Sequence, residues 1–318
     1  MHTSISQLPR PLFFPSVSSV KTMLSPLEYI NILTRLKEIY PYFLISAYDL
    51  IYSNGEVNSI NSILDDAIKN GNIILLDSGN YESYWKSSTW YQKDYHSVLE
   101  KFSYTMAFSF DNQNPIKNTN QNFHELVENY QKDKVFSKNK MLIPIIHSSK
   151  TDISELCKKV ALETGSPIIA VPERILGNGI IERAKTVQNI RLSLDENGCN
   201  TRLHLLGTGN PISMGIYTIM GADSFDGLEW CQTVVDNDSA NLYHFSQADF
   251  FFDSNDFKDE QIPYILRTLT YNLLFYSKWM KGLQDAFMAG TLLEFCELKF
   301  SSKIFRNCFE NLEWRKFL

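Results

Sequence analysis

Ile73-Ile74-Leu75-Leu76-Asp77 is an unbroken aliphatic run closed by a carboxylate. A strand with one wet face alternates apolar and polar residues, so a run without alternation is expected where both faces are covered, as in a parallel sheet flanked by helices. Runs of this kind recur, and strands are expected at Leu12–Val17, Tyr42–Ser46, Ile73–Asp77 and residues 104–111, 142–147, 168–173, 203–207 and 224–229. Most of the intervals can hold a crossover helix. Ser25-Pro26-Leu27-Glu28 is a capping-box start with proline at the first helical position. Ile60, Ile63, Leu64, Ala67 and Ile68 form one apolar stripe, which Asn70-Gly71 ends. Further helices are expected over 152–164, opened by Asp-x-x-Glu, and 179–194. Eight evenly spaced strands, each followed by a helix, predict an α/β fold, a (β/α)8 TIM barrel.

At 318 residues and 44% hydrophobic, the chain can form one such barrel or two smaller domains. There is no internal repeat or low-complexity tract, and the even spacing points to a single domain over 1–318. Residues 233–259, rich in Asp, Asn and Ser, read as an inserted subdomain or a loop over the barrel mouth. Residues 265–288 read as one long closing helix and 289–318 as a short helical tail.

The net charge of −6 argues against a basic surface spread over the whole protein, though it leaves room for a local basic groove. The five cysteines are scattered, without zinc-knuckle or redox-pair spacing, and read as reduced and structural. No basic start precedes an apolar stretch, and no apolar run is long enough to cross a bilayer. A soluble, cytoplasmic protein without membrane contact is expected.

In such barrels the chemistry stands at the C-terminal strand ends. Here those ends carry Asp77, Asp111, His147, Glu173, the turn Gly207-Thr208-Gly209, and Asp226. Any one strand-end aspartate is commonly a cap or turn residue, but five ionisable groups at one mouth are hard to ascribe to turns alone. Asp226 lies between Phe225 and Gly227 and has no capping task that its neighbours leave undone. Crowded carboxylates push one another's pKa values apart, leaving one ionised nucleophile and one proton carrier. That pair suits displacement at an anomeric carbon.

These residues resemble the tRNA-guanine transglycosylase superfamily, whose members exchange a guanine in nucleic acid for a 7-deazaguanine without cutting the backbone. Leu12-Phe13-Phe14-Pro15-Ser16-Val17 and the Ser25-Pro26 helix are similar to the family's opening strand and helix. Leu76-Asp77-Ser78-Gly79-Asn80-Tyr81 resembles its Asp-Ser-Gly-Gly-aromatic motif, Met106 to Asp111 its Met-Ala-Phe-Asp strand, and Ile145-Ile146-His147 a strand ending in glutamine there. Ile169-Ala170-Val171-Pro172-Glu173 is similar to Leu-Ala-Val-Gly-Glu, His204-Leu205-Leu206-Gly207-Thr208-Gly209 to Leu-Met-Gly-Val-Gly, and Ser224-Phe225-Asp226 to Met-Phe-Asp. Residues 269–276 are similar to the closing helix, so the resemblance spans nearly the whole chain.

The resemblance implies that Asp226 attacks C1′ of the target nucleoside and holds it as a covalent glycosyl-enzyme. Asp77 would be the general acid/base. Tyr81 and Leu206 would sandwich the flipped base, Asp111 would accept from its pyrimidine edge, and His147, Glu173 and Gly207 would complete recognition. The plain alternatives are packing for Tyr81 and Leu206 and a hydrogen-bonded barrel histidine for His147. His204, mid-strand, reads as structural.

The chain also departs from the family pattern. The zinc-binding Cys-x-Cys-x-x-Cys with its histidine is missing, Cys231 and His244 standing alone in that region, so no zinc and no other cofactor is expected. Asn80 and Pro172 replace glycines, His147 replaces glutamine, and Glu229-Trp230-Cys231 replaces Pro-Thr-Arg. There is no room for the extra RNA-binding domain of archaeal members. These losses resemble the branch that acts on DNA, so DNA is the favoured polymer and tRNA the alternative, with a free 7-deazaguanine as the second substrate. A helper protein that opens the duplex or supplies positive charge is expected from the acidic balance. Lys132, Lys134, Lys138 and Lys140 read as a solvated face, and Arg174 and Arg183 as phosphate contacts. Two other classes compete: a non-catalytic nucleic-acid-binding partner subunit, and an unrelated glycoside hydrolase whose cleft would use Trp85, Trp90 and Tyr91.

Overall fold

The computed structural model describes residues 8–52, 57–196, 198–252 and 255–312. Its main sheet holds the parallel strands β1 (Leu12–Val17), β2 (Tyr42–Ser46), β3 (Ile73–Asp77), β4 (Met106–Phe108), β5 (Met141–Ile143), β6 (Ile168–Pro172), β7 (Arg202–Leu206) and β8 (Ser224–Gly227). Their order is β5-β4-β3-β2-β1-β8-β7-β6, with β1 in parallel register with both β2 and β8. The two outer strands meet through a single Ile145–Ala170 bridge, where Ile146 N–H donates to Ala170 at 2.8 Å and Ala170 N–H to Pro144 at 2.9 Å. With helices between the strands, this is a (β/α)8 barrel, as the uniform apolar runs predict.

Two layers of core follow from the period-two alternation of each strand. Leu12, Phe14, Leu44, Leu75, Phe108 and Ile143 fill the barrel interior. The residues between them in sequence, among them Phe13, Phe43, Ile74 and Leu76, pack outward against the helices. Leu8 joins the interior layer, and Arg10 donates to Asp223 at 2.7 Å beside the start of β8. On β3, Ile73 and Leu75 belong with the interior cluster, so Asp77 continues that inward face.

The capping box at Ser25 forms, with Glu28 N–H donating to Ser25 Oγ at 3.3 Å and Ser25 N–H to Glu28 Oε2 at 2.8 Å. The stripe helix spans Val57–Lys69, with Ile60 and Leu64 fully buried. The helix over Ile153–Thr164 starts differently from the expectation: Asp152 makes no side-chain cap, and its carboxylate accepts from Thr119 and Ser149 at 3.0 Å instead.

Four strands are shorter than expected. β4 covers Met106–Phe108, and just past it the Ser109 N–H still donates to the β5 carbonyl of Ile143 at 2.8 Å. β5 stops at Ile143, because the next N–H toward β4, that of Ile145, falls on the Ser109 hydroxyl at 3.4 Å instead of on a strand carbonyl. β6 gives way to a 3₁₀ turn at Glu173–Ile175, and β8 ends at Gly227 before a helical turn over Glu229–Gln232. Asp111 and His147 therefore stand on the loops just past the strands, and Glu173 and Glu229 on the short helical turns there.

Within 233–259 lies a hairpin of β9 (Thr233–Val235) and β10 (Leu242–His244), followed by short helical turns. It packs on the long helix Tyr264–Ala289 through Phe252 against Tyr271 and through Asn272, which donates to Trp230 and Thr233 carbonyls and accepts from Val235 N–H. None of its described residues lines the cavity at the mouth. Helices Leu292–Lys299 and Ser302–Asn311 form the expected tail, and residues 313–318 lie outside the described residues. Among the described residues, no helix is long and apolar enough to cross a membrane.

Candidate active site

The C-terminal mouth of the barrel holds a cavity of about 400 Å³. All of the expected site residues line it: Asp77, Tyr81, Asp111, His147, Glu173, Leu206, Gly207 and Asp226. They come from the ends of β3 and β6 to β8 and from the loops after β4 and β5.

Asp226 sits in register with Phe14, and only 8% of it is exposed. Its Oδ1 faces His204 Nε2 at 3.0 Å and accepts from Gly207 N–H at 3.2 Å, while Oδ2 accepts the Ser16 hydroxyl at 3.0 Å. His204 Nδ1 lies 2.8 Å from Ser224 Oγ. A carboxylate can only accept, so Nε2 carries the proton toward Asp226, and a neutral ring takes the Ser224 proton at Nδ1. His204, read from sequence as structural, is thus a direct partner of Asp226. The signal was its spacing two residues before Leu206, which puts both on one face of β7. The positive φ of Gly207, 73°, turns the chain so that its N–H reaches the carboxylate.

The Asp77 carboxylate accepts one hydrogen bond among the described residues, from Gly79 N–H at 3.0 Å. Burial, then the negative charges of Glu82, Asp111 and Asp226, hold its carboxyl well above the usual carboxylate range. Asp77 thus holds its proton more readily than an ordinary carboxyl, whereas Asp226 is surrounded by donors.

Asp111 accepts four hydrogen bonds: Ser78 at 2.6 Å and Asn80 at 2.8 Å on Oδ1, His147 Nε2 at 2.7 Å and Gln113 at 3.0 Å on Oδ2. Burial raises its pKa, but the bond and charge of His147, then Ser78 and Asn80, outweigh that and hold the carboxyl low. Asp111 and His147 form one buried unit. Asn80, which stands where the family motif has glycine, is part of it.

Glu173 accepts from the Tyr217 hydroxyl at 2.7 Å and pairs with Arg183 at 3.0 Å. Arg183, expected at phosphate, is held by this pair and by the Gly177 carbonyl at 2.9 Å. Arg174 lines the cavity, with its guanidinium on Gln113. Lys132, Lys134 and Lys138 are exposed as expected, Lys132 pairing with Glu128 at 2.7 Å, whereas Lys140 is half-buried over the Tyr104 ring, where burial lowers its pKa.

Two cavity carboxylates were not singled out from sequence. Glu82 is buried and accepts the Ser18 and Ser46 hydroxyls, each at 2.6 Å, while burial and the charge of Asp49 push its pKa up to about 7. Burial likewise raises Glu229 to about 7, its carboxylate lying so close to Gly209 and Gly227 that a Cβ at either would meet it within 2.4 Å. Both sit on short helical segments beyond strand ends, too short for periodicity to give a direction. Trp90 is buried and donates to the Ser78 carbonyl at 2.8 Å, so it packs behind the Asp77 loop, and neither Trp85 nor Tyr91 lines the cavity. Cys231 is buried with its thiol on the Leu228 carbonyl, and His244 caps the turn after β10.

A scan against protein-family models finds no match for this chain, and a search of curated proteins finds none either.

Proposed function

We propose that this chain is a nucleic-acid base-exchange transglycosylase that replaces guanine with a 7-deazaguanine base (preQ0-like) through a covalent aspartyl-glycosyl intermediate, with DNA the favoured polymer. The observation that carries the reading is the pairing, in one cavity, of a donor-ringed Asp226 with an Asp77 whose carboxyl is pushed upward.

Asp226 Oδ1 is engaged by His204 and Gly207, so Oδ2, with only the Ser16 hydroxyl, is the oxygen that attacks C1′. The C1′–N9 bond breaks, its electron pair leaves with guanine, and Asp77 supplies the proton. The incoming base returns a proton to Asp77 as its N9 displaces Asp226 from C1′. Tyr81 and Leu206 flank the ring, while Glu173, His147, Gly207 and Asp111 face its edges. Because Asp111 already accepts four bonds, a base donor reaches it by displacing Gln113, the half-exposed partner, which Arg174 also holds. The acidic balance motivates a helper protein for duplex substrates; tight, salt-sensitive binding of duplex DNA by the isolated chain contradicts that part.

The test is incorporation of labelled guanine or 7-deazaguanine into single-stranded DNA, duplex DNA and tRNA. The reading expects label in DNA above tRNA and none with Asp77→Asn or Asp226→Asn. Label in neither polymer, with a candidate helper added, removes the reading.

A further inference from the structure

The helix Asn80–Trp85 separates two hollows. Tyr81 lines the catalytic cavity, while Asn80, Ser83 and Tyr84 line a second hollow of about 430 Å³ that shares Asp111 and Gln113 with the first. The second wall is dominated by primary amides, Asn80, Gln92, Asn112, Gln113, Asn114 and Asn129, and contains no lysine or arginine. Several of these amides are committed: Asn80 to Asp111, Gln92 to Asp133, and Asn112 to Glu125. Among the described residues the Asn114 and Asn129 side chains make no hydrogen bond to protein. Uncharged groups that both donate and accept suit the edge of a planar, neutral, polar ring, and asparagine and glutamine are the side chains that read nucleobase edges.

The rim between the hollows adds stacking and charge. Tyr84 is 72% exposed and Trp85 48%, and their rings meet edge to face at 5.7 Å. Trp85 also lies edge-on to Tyr81 at 6.3 Å. The Lys21 ammonium lies 3.4 Å from the Trp85 ring centroid, and Lys21 itself lines the catalytic cavity. A path out of the cavity therefore meets a cation, two exposed rings and then an amide-lined hollow. That order matches a phosphate, a stacked base and a base edge along one unpaired strand.

We propose that the amide hollow and the Tyr84–Trp85 rim hold the nucleotide next to the exchanged one, so that the polymer enters as single-stranded DNA and its flanking base is read here. The proposal rests on the base-exchange reading for its substrate. A duplex cannot satisfy it, because a paired base keeps its edge on its partner and cannot enter the hollow.

The experiment is fluorescence anisotropy of the full chain with a short labelled single-stranded DNA, RNA of the same sequence, and the DNA duplex. Two double variants are compared, Tyr84→Ala with Trp85→Ala, and Asn114→Ala with Asn129→Ala, with thermal melts to show that both remain folded. The proposal expects single-stranded DNA to bind more tightly than duplex, and the ring variant to weaken it by about tenfold or more. The amide variant is expected to keep most of the affinity but lose the preference among oligonucleotides differing only at the base beside the guanine. Absence of single-strand binding, tighter binding of duplex or RNA, or affinity and preference unchanged in both variants overturns it. The two readings separate cleanly: label incorporation with unchanged strand affinity in both variants sinks the surface and keeps base exchange. Variant-sensitive strand binding without incorporation keeps the surface and sinks base exchange.

Discussion

Asp226 accepts from His204, Gly207 and Ser16, and the imidazole and the Ser16 hydroxyl are the side-chain donors, removable without disturbing the backbone. His204 packs against Phe108 at 5.1 Å between ring centroids, so His204→Phe keeps an aromatic ring in the interior while deleting the bond to Asp226. A hydrogen bond to a charged group contributes about 1.5–3 kcal/mol, so single-turnover glycosyl transfer to Asp226 should slow roughly 10- to 150-fold. His204→Gln, which retains an N–H donor, should recover part of that rate; equal rates in the two variants argue against a role for the bond. Glu82 offers a second residue-scale prediction. Its folded pKa of about 7 lies above the ordinary 4.5, so its contribution to stability is fully present below pH about 4.5 and is lost as pH rises through about 7. Glu82→Gln should therefore have little effect on thermal stability at pH 4 and gain steadily on the parent up to pH 8, by roughly a few kcal/mol. A pH-independent difference between the two melting curves contradicts the assignment. Asp226 and Asp77 could be found in the sequence because each ends a strand whose inward face is set by period two. Glu82 and Glu229 could not, because Ser18 and Ser46 around the one and Gly209 beside the other come from other strand ends.

At the scale of elements, the site depends on turns that hold strand-end groups at the mouth. Gly79 has φ 87°, and a Cβ there would meet the Tyr48 backbone N at 2.7 Å, so Gly79→Ala is opposed both by conformation and by a neighbour that cannot move alone. Gly71 has φ 98° with open space around it, so Gly71→Ala meets only the conformational cost, about 1 kcal/mol. Chemical denaturation should show Gly79→Ala more destabilising than Gly71→Ala by about 1–3 kcal/mol; similar losses would mean that the loop after β3 is not tightly packed. Strand positions could be read from aliphatic runs, and β1, β2 and β3 match the expectation to the residue. The ends of β4, β5, β6 and β8 did not, because hydrophobicity continues past the point where pairing stops. Phe110, for example, has its N–H on the Asp133 carboxylate at 2.6 Å instead of on a neighbouring strand.

For the whole molecule, the parallel barrel could be read from the sequence because uniform burial on both faces leaves a compositional mark that needs no long-range information. The position of 233–259 left no such mark: its aromatics Phe252 and Phe257 find Tyr271 on the closing helix, a contact across sequence that polarity alone does not announce. The barrel brings Asp77 and Asp226 from strands far apart in sequence to one cavity, and the functional account stands or falls on what Asp226 does there. The most direct measurement is the mass of the denatured full chain after incubation with single-stranded DNA, duplex DNA or tRNA. The account predicts a covalent polymer adduct mapped to Asp226, formed with DNA more than tRNA, discharged by added 7-deazaguanine, and absent from Asp226→Asn. An unmodified chain with every polymer and helper tested, or an adduct that persists in Asp226→Asn, contradicts it.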